Sequence, residues 1–363
     1  MRTIVGLLLV FSTFTSAAEA LEPGTSVVTT ELAEVIAITL EEERSVPGTE
    51  VRAPFQTIRA EILEGPHKGG IVTVQNDYLM LSVGEKFYAL HRVDTLTDVD
   101  AYTVSEPYRI PQLLVLIGLF ILVTFLIGGR QGIRGLIALA LSFFFIAYAL
   151  LPGILANYSP LLVSLGVASL IIVLGSYVTH GFNKVTTSAV FGMIGTLALT
   201  AILAQYSILF THLSGFASDE AVYLNIDTAG QIDFSALLFG GILIGLLGVL
   251  YDAAIGQAVA VDELKGAAPD ASRMEIFKRA MRIGREHIGA LVNTLAIAYV
   301  GVALPLLLLF YSINSDTSIL TTLNREVFAG EIVRMAVSSI GIMLAVPVTS
   351  AIAVFMLIRR KKP

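Results

Sequence analysis

The chain has 363 residues, 55% of them hydrophobic, with a formal net charge of −6 and a mean hydropathy of +0.80. That balance excludes an ordinary soluble protein, since several runs exceed the roughly 20 apolar residues that cross a bilayer core. Cysteine and tryptophan are both absent, which excludes disulfides, thiolate metal sites and a cysteine nucleophile, and leaves tyrosine and phenylalanine for any interfacial aromatic belt.

Residues 1–20 read as a secretory signal peptide. Arg2 gives a short basic start, Ile4 to Thr15 an apolar core, and Ala18-Glu19-Ala20 a cleavage site. An uncleaved anchor is the competing reading. Residues 21–108 carry 15 acidic and 6 basic side chains and no membrane-length apolar run. Short β-type stretches begin at Ser26, Glu34, Thr57, Gly70 and Phe87, separated by Pro47-Gly48, Gly65-Pro66, Gly69-Gly70 and Gly84. Four to six strands over this length predict a small OB- or SH3-like barrel, exported behind the signal.

From Ile110 onward the pattern predicts an α-helical polytopic membrane domain, 109–358, with seven spans. They cover 111–129, 134–152, 159–178, 187–209, 234–256, 288–311 and 331–358. Arg130, Arg134, Lys184, the cluster Lys265 to Arg285 and the tail 359–363 fall on one side of this count. Loop 210–233, with Asp219, Glu220, Asp227 and Asp233 and no basic residue, falls on the other. The positive-inside rule then places the N-terminal domain outside and the C-terminus in the cytoplasm. Within the inner loop 257–287, apolar residues at 274, 277, 280, 281 and 283 alternate with basic ones, an amphipathic helix for the headgroup surface. Asp270 and Ser272 are its capping candidates.

Enzyme motifs are missing. The chain has no G-x-x-x-x-G-K-[ST], no H-E-x-x-H and no G-x-S-x-G, so it is not expected to be an enzyme. No cofactor and no metal site is expected either. His67, His91, His180, His212 and His287 are scattered, and a zinc site would need long-range convergence. No nucleic-acid partner is expected.

Polar residues within the spans are what remains. Gly241, Gly245, Gly248, Asp252 and Gly256 share one helical stripe of the fifth span. Glycines there admit a neighbouring backbone, within this chain, in a second copy or in a membrane partner, and the acid is costly unless paired, hydrated or used. In the sixth span Glu286 and Asn293 share a face with Thr294 beside them. Running antiparallel, Asp252 and Asn293 could occupy one inner-leaflet layer and bind a cation or pass a proton. The plainer readings are helix–helix hydrogen bonds for Asn293 and Thr294, and snorkelling for Asp252. Glu331 and Arg334, three apart, form an intrahelical pair or an outer gate. Ser188, Gly192, Gly195 and Thr196 mark a closely packed fourth span, and Pro305 and Pro347 permit kinks.

The chain resembles the YibE/F-like family of bacterial multi-pass membrane proteins. The resemblance rests on the stretch Arg59 to Asn76 with Val83-Gly-Glu-Lys, on Gly129-Arg-Gln-Gly-Ile-Arg, and on Gly181-Phe-Asn-Lys. Its strongest parts are Gly248-Val-Leu-Tyr-Asp-Ala-Ala-Ile and the run Ile283 to Gly301. It implies a membrane protein with an extracytoplasmic β domain, and it carries no activity. Asp252, Asn293 and Thr294 match positions typical of its motifs. Two functions follow as expectations: a small-solute or ion transporter or channel, proton- or cation-coupled through Asp252, or a non-transport envelope protein whose exported domain binds a partner or polymer.

Overall fold

The computed structural model describes residues 26–45, 48, 51–94, 99–312 and 318–358. The signal-peptide segment 1–20 and the basic tail 359–363 lie outside these residues. Two compact units divide the chain, Met1–Val123 and Thr124–Pro363.

In the first unit five strands close a barrel: β1 (Ser26–Ser45), β2 (Arg52–Glu64), β3 (Ile71–Asn76), β4 (Lys86–Asp94) and β5 (Val99–Pro107). Their order around the barrel is β1-β2-β3-β5-β4. β3 and β5 run parallel, the other pairs antiparallel. This is a Greek-key barrel of the OB kind. β1 spans both of the first two stretches marked by the sequence. Register shifts at Leu32/Ala33, Val35/Ala37 and Ile38/Leu40 bend it, so its first half pairs with β4 and its second with β2. Alternate residues point inward, and Ala33, Val35, Ile58, Ala60, Ile62, Val74, Phe87 and Ala89 fill the interior. β5 is the strand with no sequence signal strong enough to mark it.

From Ile110 onward the chain is helical. Among the described residues, five helices are long and apolar enough to cross a membrane: α1 (Ile110–Leu155), α2 (Pro160–His180), α3 (Lys184–Phe210), α5 (Phe234–Ala267) and α9 (Glu326–Leu357). The short helix α4 (Asp219–Asp227) lies between α3 and α5. α1 has 46 residues, none buried in its most apolar stretch. A straight helix of that length would run roughly 69 Å, twice a bilayer core. Gly129 breaks it, at φ 53°, ψ −136°, between the two expected spans 111–129 and 134–152. Only glycine adopts that conformation without strain.

α6 (Arg273–Val302) joins the amphipathic segment and the start of the sixth expected span into one continuous helix. Ser272 caps it, accepting a 3.2 Å hydrogen bond from the Glu275 amide. It stops at Ala303, just before Pro305, which has no N–H to continue the ladder. α7 (Leu304–Ser312), α8 (Ile319–Leu323) and α9 follow. The expected span 288–311 is thus divided between α6 and α7, and it is not among the five.

Glycines set how closely the helices cross. A methyl carbon on Gly192 of α3 would lie 2.3 Å from Thr349 Oγ1 and 2.9 Å from Thr349 Cα of α9. One on Gly341 of α9 would lie 2.6 Å from Thr200 Oγ1 of α3. Gln257, on α5, bridges three helices: its Nε2 donates to Ala280 O of α6 at 2.8 Å and to Ser350 Oγ of α9 at 2.7 Å. Around these contacts sit Met193, Leu197, Ile242, Leu243, Leu246, Leu250, Ile276 and Ile342, all fully buried.

Candidate functional site

The glycine stripe of α5 divides in two. Gly241 lies under the Arg334 guanidinium, whose Nη1 would be 3.1 Å from an added methyl, and Gly245 under the Tyr299 hydroxyl, at 2.9 Å. Gly248 and Gly256 face open space. Asp252 shares that open face. It is exposed and makes no hydrogen bond or ion pair among the described residues. Glu286, Asn293 and Thr294 are exposed on α6, and Thr294 Oγ1 donates to Ala290 O within its own helix at 2.9 Å. No hydrogen bond joins Asp252 to these three among the described residues. Glu331 and Arg334 do meet, with Arg334 Nε 3.4 Å from Glu331 Oε1.

Two cavities lie at opposite ends of α2, α5 and α9. One, of about 530 Å³, is lined by Ser164, Gly215, Gly240, Gly241, Glu331 and Arg334, among others. The other, of about 1060 Å³, is lined by His180, Lys184, Val259, Asp262, Lys265 and Leu357. From Ile244, on the first cavity, to Ile255, on the second, α5 rises roughly 17 Å. Between these levels the helices close on Leu246 and Leu250, with no exposed surface. Four buried hydroxyls of the helical unit, those of Ser164, Tyr299, Ser338 and Thr349, have no hydrogen-bond partner among the described residues. Unpaired polar atoms in an apolar bundle are costly.

The first cavity has an ordered rim. Glu326, in the first turn of α9, accepts three hydrogen bonds on Oε1, from Ser214 N at 2.7 Å, Ser214 Oγ at 2.6 Å and Gly215 N at 2.7 Å. Gly215 has φ +78°, and a methyl there would strike Phe234 O at 2.1 Å. Only glycine lets the loop pass so close to the start of α5.

A second polar cluster lies in the barrel. Glu31 extends the inward row 31, 33, 35 of β1, and His91 the inward row 87, 89, 91 of β4. His91 stands opposite Thr29 across the β1–β4 pair, so Glu31 is its diagonal neighbour. His67 comes from the β2–β3 loop, and its Nδ1 lies 2.7 Å from Glu31 Oε1. His91 stacks on Tyr102 of β5 with ring centroids 4.1 Å apart, and its Nε2 lies 2.7 Å from Asp100 Oδ1. One ligating atom from each of Glu31, His67 and His91 falls within 4.8 Å of the other two. Burial, then the neighbouring charges of Glu31 and Asp100, holds the Tyr102 hydroxyl above its usual pKa. The convergence that the scattered histidines lacked in sequence is supplied by the fold. The only sequence signal for it is strand parity, which puts an acid and a histidine on inward rows.

A family model described as YibE/F-like protein matches residues 116–359, so the match begins after the barrel. No curated protein and no solved structure matches the chain.

Proposed function

The chain belongs to the YibE/F-like family, whose model covers two thirds of it, and from the two cavities of its helical unit we propose that it is a membrane transport protein for a small solute or ion. In this reading the helical unit crosses the bacterial inner membrane seven times, α1 twice through its Gly129 break and α6–α7 once. The barrel lies outside and the C-terminus inside. The solute passes along α5 between the two cavities, through the leucine layer that closes them from each other. Glu331 and Arg334 are charged groups on that path at the outer end, together with Glu220 and Glu326. Asp252 lines neither cavity, so its role as a coupling carboxylate requires the open face of α5 to be covered by a second copy or reached by water.

One observation carries this reading: two cavities at opposite ends of the same helices, separated by a fully buried leucine layer. The natural absence of cysteine makes the test direct. Gly241→Cys and Val259→Cys are treated with a membrane-impermeant thiol reagent in right-side-out and inverted vesicles. Residue 241 should react only from outside and residue 259 only from inside. If both react from the same side, or neither reacts at all, the two-cavity path is wrong. A deletion strain screened across metals, acids and drugs supplies candidate solutes, and flux of the true solute should fall in Arg334→Ala vesicles.

The envelope-binding alternative is favoured by one feature, the exposed apolar side chains Tyr78, Leu79, Met80 and Val83 on the β3–β4 loop. Deleting residues 21–108 should abolish function under that reading and only modulate it under transport.

A further inference from the structure

The two ends of the barrel treat their buried polar residues differently. At one end Gln56 and Asn76 are satisfied: Asn76 Nδ2 donates to Gln56 Oε1 at 2.9 Å, Gln56 Nε2 to Leu81 O at 3.1 Å, and the Leu81 amide donates to Gln56 Oε1. At the other end Glu31 is 1% exposed, yet only one of its carboxylate oxygens is engaged, by His67. The second, Oε2, has no hydrogen-bond partner among the described residues, and neither does Thr29 Oγ1 across from His91. A carboxylate held inside an apolar barrel with half its acceptor capacity unused is expensive, and buried charges of this kind are paired or coordinate metals.

We propose that this barrel mouth is a site for a divalent transition cation of the zinc class, with Glu31, His67 and His91 as its protein ligands. Two imidazoles and one carboxylate form a borderline donor set suited to zinc and its neighbours, and poor for calcium or magnesium, which take oxygen donors. The ligating atoms already lie within 4.8 Å of one another. Zinc bonds of about 2.0–2.2 Å place tetrahedral ligands roughly 3.4 Å apart, so closing the sphere takes an inward shift of about 1.5 Å at most. His67 can supply that shift. Its side chain is 50% exposed and sits on a loop bounded by Gly65 and by Gly69-Gly70. Binding replaces the hydrogen bond between Glu31 Oε1 and His67 Nδ1 with two metal bonds.

The surroundings are built for the same purpose. His91 Nε2 lies 2.7 Å from Asp100 Oδ1; in the tautomer protonated at Nε2, Asp100 accepts that proton's hydrogen bond and the Nδ1 lone pair is left for the metal, the usual carboxylate–histidine support of a metal ligand. Tyr102 stacks on that ring and fixes its plane. Gly65 has φ +118°, and a methyl there would lie 2.8 Å from Glu31 Cγ, so the loop closes over the carboxylate only because it carries no side chain at that point. With His67 half-exposed, the fourth position opens to solvent, as in sites that exchange their metal or bind a further ligand.

The test uses the full-length protein in detergent micelles, stripped with a chelator and titrated calorimetrically with zinc chloride. The wild type should bind one equivalent that the His67→Ala/His91→Ala double variant lacks. Each single variant should bind at least tenfold more weakly. Magnesium should not compete. Glu31→Gln tests the carboxylate. Should that variant fail to fold, His67→Ala still decides, because its side chain is half-exposed on a loop and its removal leaves the barrel core intact. Equal stoichiometry and affinity in the wild type and the double variant, including no binding by either, would overturn the assignment and leave Glu31–His67 as a simple ion pair.

Discussion

Gly192→Ala adds one methyl at the α3–α9 crossing, where the structure has no room for it. The new carbon would meet Thr349 at three atoms, Oγ1 at 2.3 Å, Cβ at 2.8 Å and Cα at 2.9 Å. Carbon pairs rest at about 3.5–4.0 Å, so α3 and α9 must separate by roughly 1 Å. A rotamer change cannot absorb this, since one of the atoms is backbone. Overpacking of this kind costs about 1–3 kcal/mol, and a backbone clash belongs at the upper end. Alanine returns about 1 kcal/mol of helix propensity, leaving a net loss of about 2 kcal/mol. Gly248→Ala is the control, the same substitution in another apolar helix but facing open space. It should gain up to about 1 kcal/mol. The two variants therefore differ by about 3 kcal/mol, or roughly 6–12 °C in melting temperature for a unit of this size. Far-UV circular dichroism in detergent, at one fixed scan rate because unfolding from micelles is kinetically controlled, measures the difference. If Gly192→Ala melts with or above Gly248→Ala, the α3–α9 contact is not what holds the helical unit together.

Glu326→Ala removes the acceptor of three hydrogen bonds from Ser214 and Gly215. Hydrogen exchange at those two amides should rise by at least tenfold, from about 1.5–3 kcal/mol of charge-assisted bonding, while the middle of α9 stays protected; unchanged exchange at Ser214 would show that the rim is held by other contacts. In the barrel, Tyr102 has a raised pKa, so above pH 10 the unfolded chain releases its proton before the folded barrel does. The folded state then binds more protons and loses stability as the pH rises. Tyr102→Phe should lose less stability than the wild type between about pH 9 and about pH 11. Parallel pH profiles of the two melting temperatures would contradict this.

Much of the architecture is legible in the sequence, and its errors have physical causes. The barrel follows from alternation and turn residues, but Glu34 to Thr39 reads as a separate strand because bulges shift its parity from that of Ser26 to Thr30. Val99–Pro107 escapes notice because Asp100, Ser105 and Glu106 dilute its apolar pattern, although it closes the barrel between β3 and β4. In the helical unit the apolar runs are plain, and of the two capping candidates, Asp270 and Ser272, it is Ser272 that caps the helix. The amphipathic segment and the sixth apolar run appear distinct by composition, yet no glycine or proline in a breaking position separates them before Ala303, so the helix continues through.

The candidate sites show why composition ranks acids differently from structure. Among apolar spans a single carboxylate such as Asp252 stands out, because its neighbours carry no charge. Its energetic cost nevertheless depends on burial, and α5 turns it to the open face. In the barrel segment, with 15 acidic residues, no single glutamate stands out. Strand parity decides there: Glu31 is two residues from Ala33 and four from Val35, so it must point where they point, into the barrel. Glu34, three residues away, points outward to Lys86 at 3.9 Å, a contact worth little at the surface. The same reasoning applies to His91, two residues beyond Ala89 on β4. An acid or a histidine on the inward row of a small barrel is buried whatever the composition around it, and its uncompensated charge must find a proton, a cation or a metal.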